Sequence, residues 1–390
     1  MHDRVLAIAL AGGLAGCLLA PAFGQTLIVG DDEKNGIENH KPIVREPGHD
    51  TLAIVDISNP ATPRVSATIP LMNSIVGPPT NLAIVPSGDI ALVANSVAPE
   101  VEGWSHKLSP DNKVFVVDLK ASPPKVIGTV IVGKQPSGMA ISPKGDLALV
   151  ANRADGTISV LSIHGKDVLV TDTVPVGAPT DSVSGVAITP DAKRALVFKA
   201  AANKVALLSI DDGKVKYGKH DLATGIFPYN VVVSPNGKLA LTADNGGNGS
   251  SDGNIDTVGV IDLEANPPRV IDHVVVGDSP EGLAMSPKGD VAVSVQAEGS
   301  NRPTNTFYYH PTGSIAVLKI DGKKVTNVGN INVGALPEGA AFSPDGSYLY
   351  VGNFMDGDLS VLKVEGSKIT DTGQKLKLPG HPASMRSGPQ

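Results

Sequence analysis

Cysteine is almost missing from this chain. The one cysteine in 390 residues is Cys17, inside an N-terminal stretch that reads as a leader. Loss of that leader leaves no thiol, which excludes disulfides, thiolate metal sites and a cysteine nucleophile. Blocks rich in Lys or Arg are also missing. With a net charge of -7 at pH 7, the chain offers little to neutralise a phosphate backbone, so nucleic acid is not expected as a partner. Beyond the leader no apolar run reaches membrane-spanning length, and no transmembrane segment is expected in the mature chain. Abundance lies elsewhere. The 43 Gly and 31 Pro, beside plentiful Val, Ile and Thr, describe many short strands joined by tight turns, because Gly supplies positive φ and Pro fixes it.

Residues 1–24 read as a signal peptide. Arg4 provides a positive start, residues 5–20 an apolar segment, and Ala22-Phe23-Gly24 a small-x-small cleavage site before Gln25. A periplasmic or secreted protein follows. The run Leu14-Ala15-Gly16-Cys17 also matches a lipobox, so anchoring through a lipidated Cys17 is the alternative.

Self-comparison gives the strongest signal, a repeat of roughly fifty residues. Its core unit is Pro, six residues with an apolar middle, and a second Pro. It starts at Pro79, Pro136, Pro228, Pro280 and Pro337, and Val183 opens a sixth copy without the first proline. A Gly two residues after the second Pro marks a hairpin turn, as at Gly88, Gly145, Gly237, Gly289 and Gly346. Three further strands follow each time, so a unit has four. The ends are incomplete in complementary ways: residues 26–30, 52–57 and 65–71 supply strands two to four, and 381–387 supplies a first strand alone. Together they complete one unit and pair strand edges that would otherwise lie bare. The expected fold is all-β: a seven-bladed β-propeller of four-stranded blades, spanning 25–390, with the ring closed by N-terminal strands plus a C-terminal inner strand. An open solenoid is the competing reading, but it would need polar capping ends.

The strand endings Ala-Leu-Val-Ala-Asn95, Ala-Leu-Val-Ala-Asn152 and Leu-Tyr-Val-Gly-Asn353, with their Ser-Pro-x-Gly turns, resemble the YVTN-repeat β-propeller family. The likeness covers nearly the whole mature chain and is nearest to the exported bacterial members described as lactonase-like or YncE-like. That family includes lactone hydrolases, redox-enzyme subunits and surface proteins, so the resemblance implies fold more than function. Related seven-bladed sugar-lactone hydrolases carry a Gly-Pro-Arg-His run at an inner strand. No position here matches it, and no catalytic residue carries over.

In a four-stranded blade the loop entering the inner strand and the loop between second and third strands open on one face. Four of the latter are long and read as loops without strands: 31–50, 96–112, 245–256 and 297–313. His40, His49, His106, His310 and His381 fall on this face, though without metal-ligand spacing. The residue nine after the turn proline is polar throughout: Asn95, Asn152, Lys199, Asp244, Gln296 and Asn353, with Asp31 as the seventh. The Asn residues suit loop capping, which leaves Lys199, Asp244 and Gln296 as candidates for function. Glu281 and Glu338 sit one residue into inner strands at the narrowest part of the channel, with Tyr229 in an equivalent place. With Asp31 and Asp244 they form a candidate ligand set for a cofactor such as Ca²⁺ or another divalent cation, which would polarise an ester or lactone carbonyl. Aromatics are only 4% of the chain, so their presence in two long loops, as Trp104 and as Phe307, Tyr308 and Tyr309, suggests ligand stacking or protein contact.

Two functions compete. The first is a monomer that binds a small molecule or a periplasmic protein at the channel mouth through Tyr229, Lys199, Gln296, Trp104, Tyr308, Tyr309 and His310. The alternative is a lactone or ester hydrolase using Glu281, Glu338, Asp244 and His381. A redox-enzyme subunit is a third reading, without any Cys-x-x-Cys-His run to hold a haem.

Overall fold

The structure is a computed structural model that describes residues 25–38, 41–103, 105–247 and 249–388. The expected leader with Cys17, and also His40 and Trp104, lie outside the described residues.

The second strands of the repeat show why the sequence folds as it does. Leu147–Asn152 is buried at every position, because apolar residues occupy both of its faces. Ala148 and Val150 pack with Leu92 and Ala94 of the preceding unit, whereas Leu149 and Ala151 pack with Val186 and Val197 of the next. A strand apolar on both sides has to lie between two sheets. The outermost strands differ: Lys125–Ile131 alternates exposed and half-buried residues, as expected where one face meets water.

Seven four-stranded antiparallel sheets result, which we number as blades 1 to 7, with strands a to d from the channel outward. Blade 1 is the composite. Its strand a is Pro382–Gly388, followed by Thr26–Asp31, Thr51–Asp56 and Arg64–Pro70. Thr26 pairs with Gly388, Ile28 with Arg386 and Asp31 with Pro382, which closes the ring. The other inner strands are Leu82–Ile84, Pro136–Ile141, Val183–Ile188, Pro228–Val233, Pro280–Met285 and Pro337–Phe342 in blades 2 to 7. No α-helix occurs among the described residues, and none is long and apolar enough to cross a membrane.

Two segments read as strandless loops contain strands. Residues 96–112 continue strands b and c of blade 2 as a hairpin, Ile90–Glu102 against Ser105–Asp118. Within 31–50, Asn35–Glu38 pairs with Lys41–Val44. The extended hairpin is half-exposed or exposed from Pro99 to Glu102, so no buried face marks it in the sequence. Among the described residues, 245–256 and 297–313 are loops without strands, as expected, and they interlock: Gly299 N–H donates to Ser251 Oγ at 2.9 Å, and Arg302 donates to Ser251 O at 2.9 Å.

Candidate functional site

The mouth of the channel is shaped by a bulge at the start of the inner strand in six of the seven blades. Pairing with strand b jumps from Pro228 to Asn230, from Pro280 to Gly282 and from Pro337 to Ala340. Tyr229, Glu281 and Glu338 therefore stand outside the ladder, and a bulge of this kind re-aims a side chain. The next residue is often Gly for a steric reason. A Cβ on Gly282 would lie 2.2 Å from the carbonyl oxygen of Glu338, and one on Gly138 would lie 2.8 Å from Gly185 Cα. Inner strands press backbone to backbone here, which narrows the mouth.

The carboxyl groups of Glu281 and Glu338 are neighbours, and each perturbs the titration of the other. Glu338 is 2% exposed and its Oε2 has no protein partner among the described residues. Burial pushes Glu281 up to about 7, opposed by hydrogen bonds from Glu338 and Ser279 and by the Arg302 charge. Burial also holds Glu338 well above the usual carboxylate range, and the neighbouring Glu281 charge adds to this. Two neighbouring carboxyls cannot easily both ionise, so the pair holds a proton to higher pH than either group would alone.

Tyr229 faces this pair. Burial raises its phenol, as do the charges of Glu281 and Glu338, while Arg153 opposes the rise. The backbone amide of Gly77, in the linker between blades 1 and 2, also opposes the rise, and the ring stacks on Phe227 with 6.1 Å between centroids. Arg153 Nε donates to Ser182 Oγ at 2.7 Å. An apolar cap closes over part of the mouth: Ile37 and Ile75 pack on Ala297, Leu336, Phe354 and Ala383. That cap is pinned by Lys34, fully buried between Asp32 at 3.2 Å and Asp50 at 2.7 Å. Asp32 also accepts the amide of Ile75 at 2.8 Å, tying segment 32–50 to the blade 1–2 linker.

The polar ring after strand b lies elsewhere. Lys199, Asp244 and Gln296 face strands c and d of their own blades, not the channel. Lys199 Nζ donates to Tyr217 OH at 3.0 Å and Asp221 Oδ2 at 2.8 Å. Asp244 Oδ2 lies 3.5 Å from His273 Nδ1; burial raises the Asp244 carboxyl, and Asp244 in turn raises His273. Gln296 Oε1 accepts from Ser314 Oγ at 3.1 Å. Asn152 and Asn353 do the same work with Ser159 and Ser360, at 2.9 and 3.0 Å. These side chains plug the top of each blade, and each substitution of Asn brings a matching partner. Asp31 belongs to the same ring: Thr51 Oγ1 donates to it at 2.8 Å, and burial lifts it to about 7.

The remaining candidates are dispersed. His381 Nδ1 lies 2.6 Å from Glu33 Oε1, with its ring against Phe354, on the blade 1 rim. Tyr308 packs against Gly253 and Gly299, locking the two loops together. Tyr309 N–H donates to Thr306 O at 3.0 Å, and His310 is exposed. Phe307 is 91% exposed. Carboxylate oxygens of the loop 244–256 are taken up by backbone amides: Asp256 Oδ2 accepts Ser279 N–H at 2.9 Å, and Asp252 Oδ1 accepts Asn254 N–H at 2.9 Å. Among the described residues no three His, Cys, Asp or Glu side chains converge closely enough to hold a metal ion. Of the four candidate metal ligands only Glu281 and Glu338 meet. Sequence reasoning missed Arg153, Arg302, Ser279 and Gly77; an Arg directly after the strand-ending Asn152 was the one visible sign.

No family model matches the chain, and no curated protein matches it. Solved structures do. A periplasmic gluconolactonase from Pseudomonas aeruginosa aligns at 17% identity and a TM-score of 0.66, covering 93% of this chain and 98% of that one. A candidate 6-phosphogluconolactonase from Bacteroides uniformis aligns at 16% identity and a TM-score of 0.67, covering 94% and 99%. Hydrazine synthase from Kuenenia stuttgartiensis gives 23% identity and a TM-score of 0.57, covering 75% and 78%. At these identities the likeness establishes the fold that the chain shares with them: a seven-bladed β-propeller of the kind on which proteins named as lactonases are built.

Proposed function

We propose that this is an exported propeller, of the YVTN-repeat group, that captures a polar small molecule at the loop-rich mouth of its channel. The observation that carries this reading is the Glu281–Glu338 pair, set outside the strand ladder at the mouth and with Glu338 buried, where burial and mutual repulsion favour a shared proton. Such a pair both donates and accepts hydrogen bonds, which suits hydroxyl and carbonyl groups. Tyr229, Arg153 and Arg302 surround it with further donors.

The same pair favours a second step, hydrolysis of a lactone or ester. Ionised Glu281 takes a proton from water as its oxygen bonds to the acyl carbon. Glu338 gives its proton to the ring oxygen as the acyl C–O bond breaks, and the product is a hydroxy acid. A base with a pKa near 7 is well matched to that work. The proteins named as lactonases among the structural neighbours support this direction without supplying residues for it.

The test is calorimetry and thermal melting against a panel of aldonolactones, with hydrolysis followed in parallel. Binding lost in both Glu281→Gln and Glu338→Gln, with folding intact, supports the site. A panel that neither binds nor turns over above the buffer rate rejects it.

A further inference from the structure

Below the acid pair the channel changes character. Three residues further along strand a stands a small apolar side chain in blades 2 to 7, Ala83, Ala140, Ala187, Val232, Ala284 and Ala341, each packed with the core between two blades. Blade 1 breaks the pattern with Arg386, whose pairing with Ile28 corresponds to that of Ala341 with Tyr350. Pro382–Gly388 is the innermost strand of its sheet and is flanked by the inner strands of blades 7 and 2, so the solvent that Arg386 touches is that of the channel. No hydrogen bond, ion pair or charged neighbour reaches its guanidinium from any described residue, and burial alone acts on it. A cation without a counter-charge beside apolar side chains is costly. The fold itself gains nothing from it.

We propose that Arg386 is an oxyanion-binding residue inside the channel, which receives the carboxylate or phosphate group of a ligand whose polar, uncharged end meets Glu281 and Glu338. This rests on the channel mouth being the ligand site and adds the ligand class: an acid whose charged group lies about 10 Å, three extended residues, from its hydroxyl or carbonyl end. The planar guanidinium fork matches either oxyanion in bidentate fashion.

The test uses the whole exported chain in chloride buffer, with acetate, gluconate and inorganic phosphate as probes, read by calorimetry and thermal melting. Wild type binds at least one of them, and Arg386→Met weakens that binding by about tenfold or more. In buffer without probe, Arg386→Met melts at or above wild type, since an uncompensated charge has been removed. Arg386→Lys recovers part of the binding. Preference for acetate and gluconate identifies a carboxylate, and preference for phosphate a phosphoryl group. Wild type that ignores all three probes overturns the proposal, and so does Arg386→Met melting well below wild type without probe, which would make the arginine structural. The double variant Glu281→Gln, Glu338→Gln separates the two readings. Acetate binding retained while neutral lactones no longer bind places the anion site apart from the mouth, and lactone binding without any anion binding removes Arg386 alone.

Discussion

Glu281 and Lys199 show how the same residue-level physics serves two purposes. A carboxyl raised from 4.5 to about 7 binds more protons in the folded than in the unfolded chain. Its contribution to stability is therefore present at low pH and is lost as pH rises from about 4.5 through 7. Glu281→Gln should remove part of this slope and melt above wild type at pH 8, which urea titrations at pH 5 and pH 8 would reveal; an unchanged slope would refute the raised value. Lys199 is 4% exposed and depends on Asp221. Asp221→Ala should cost about 3 kcal/mol by stranding a buried charge, whereas Lys199→Met should cost clearly less, a comparison that chemical denaturation makes directly. Glu281 was legible as a channel residue from its place one residue into an inner strand, but the role of Lys199 was not. Lys199, Asp244 and Gln296 break the Asn pattern and so attracted a functional reading, but their partners, Asp221, His273 and Ser314, stand well apart in sequence and become neighbours only across the sheet.

At the scale of strands and turns, spacing carried most of the information. Proline pairs and turn glycines located the inner strands, since each Gly has a positive φ, 75° at Gly145 for example. Blade 4 departs from the rule, with Ala192 at φ 56°. A non-glycine residue in that region costs on the order of 1 kcal/mol, so Ala192→Gly should stabilise the protein by roughly 0.5–1 kcal/mol. A lower melting temperature in the variant would contradict this. What spacing could not reveal was the hairpin Ile90–Glu102 with Ser105–Asp118, because a strand pair standing in solvent needs no apolar alternation. Likewise Lys34, in a segment read as a strandless loop, is enclosed by the carboxylates of Asp32 and Asp50, the second of which arrives only with the fold. Lys34→Ala should loosen segment 32–50 and the Ile75 linker, seen as faster amide exchange there with little change in the outer strands.

The whole molecule is held by one shared sheet. The pairing of Thr26–Asp31 with Pro382–Gly388 was readable because each end lacked what the other had. Deleting residues 381–390 should abolish cooperative unfolding, since the blade 1 and blade 7 packing of Met385, Tyr350 and Val29 is lost together. A truncated chain that still melts in a single sharp transition would count against closure as the source of stability.

That clasp also sets an order of events. A growing polypeptide can finish six sheets while the first still waits, three strands wide, for a partner encoded far downstream. Until Pro382–Gly388 arrives the nascent molecule presents an open sheet edge to its surroundings, so for this protein the period of greatest exposure to misassociation comes just before completion.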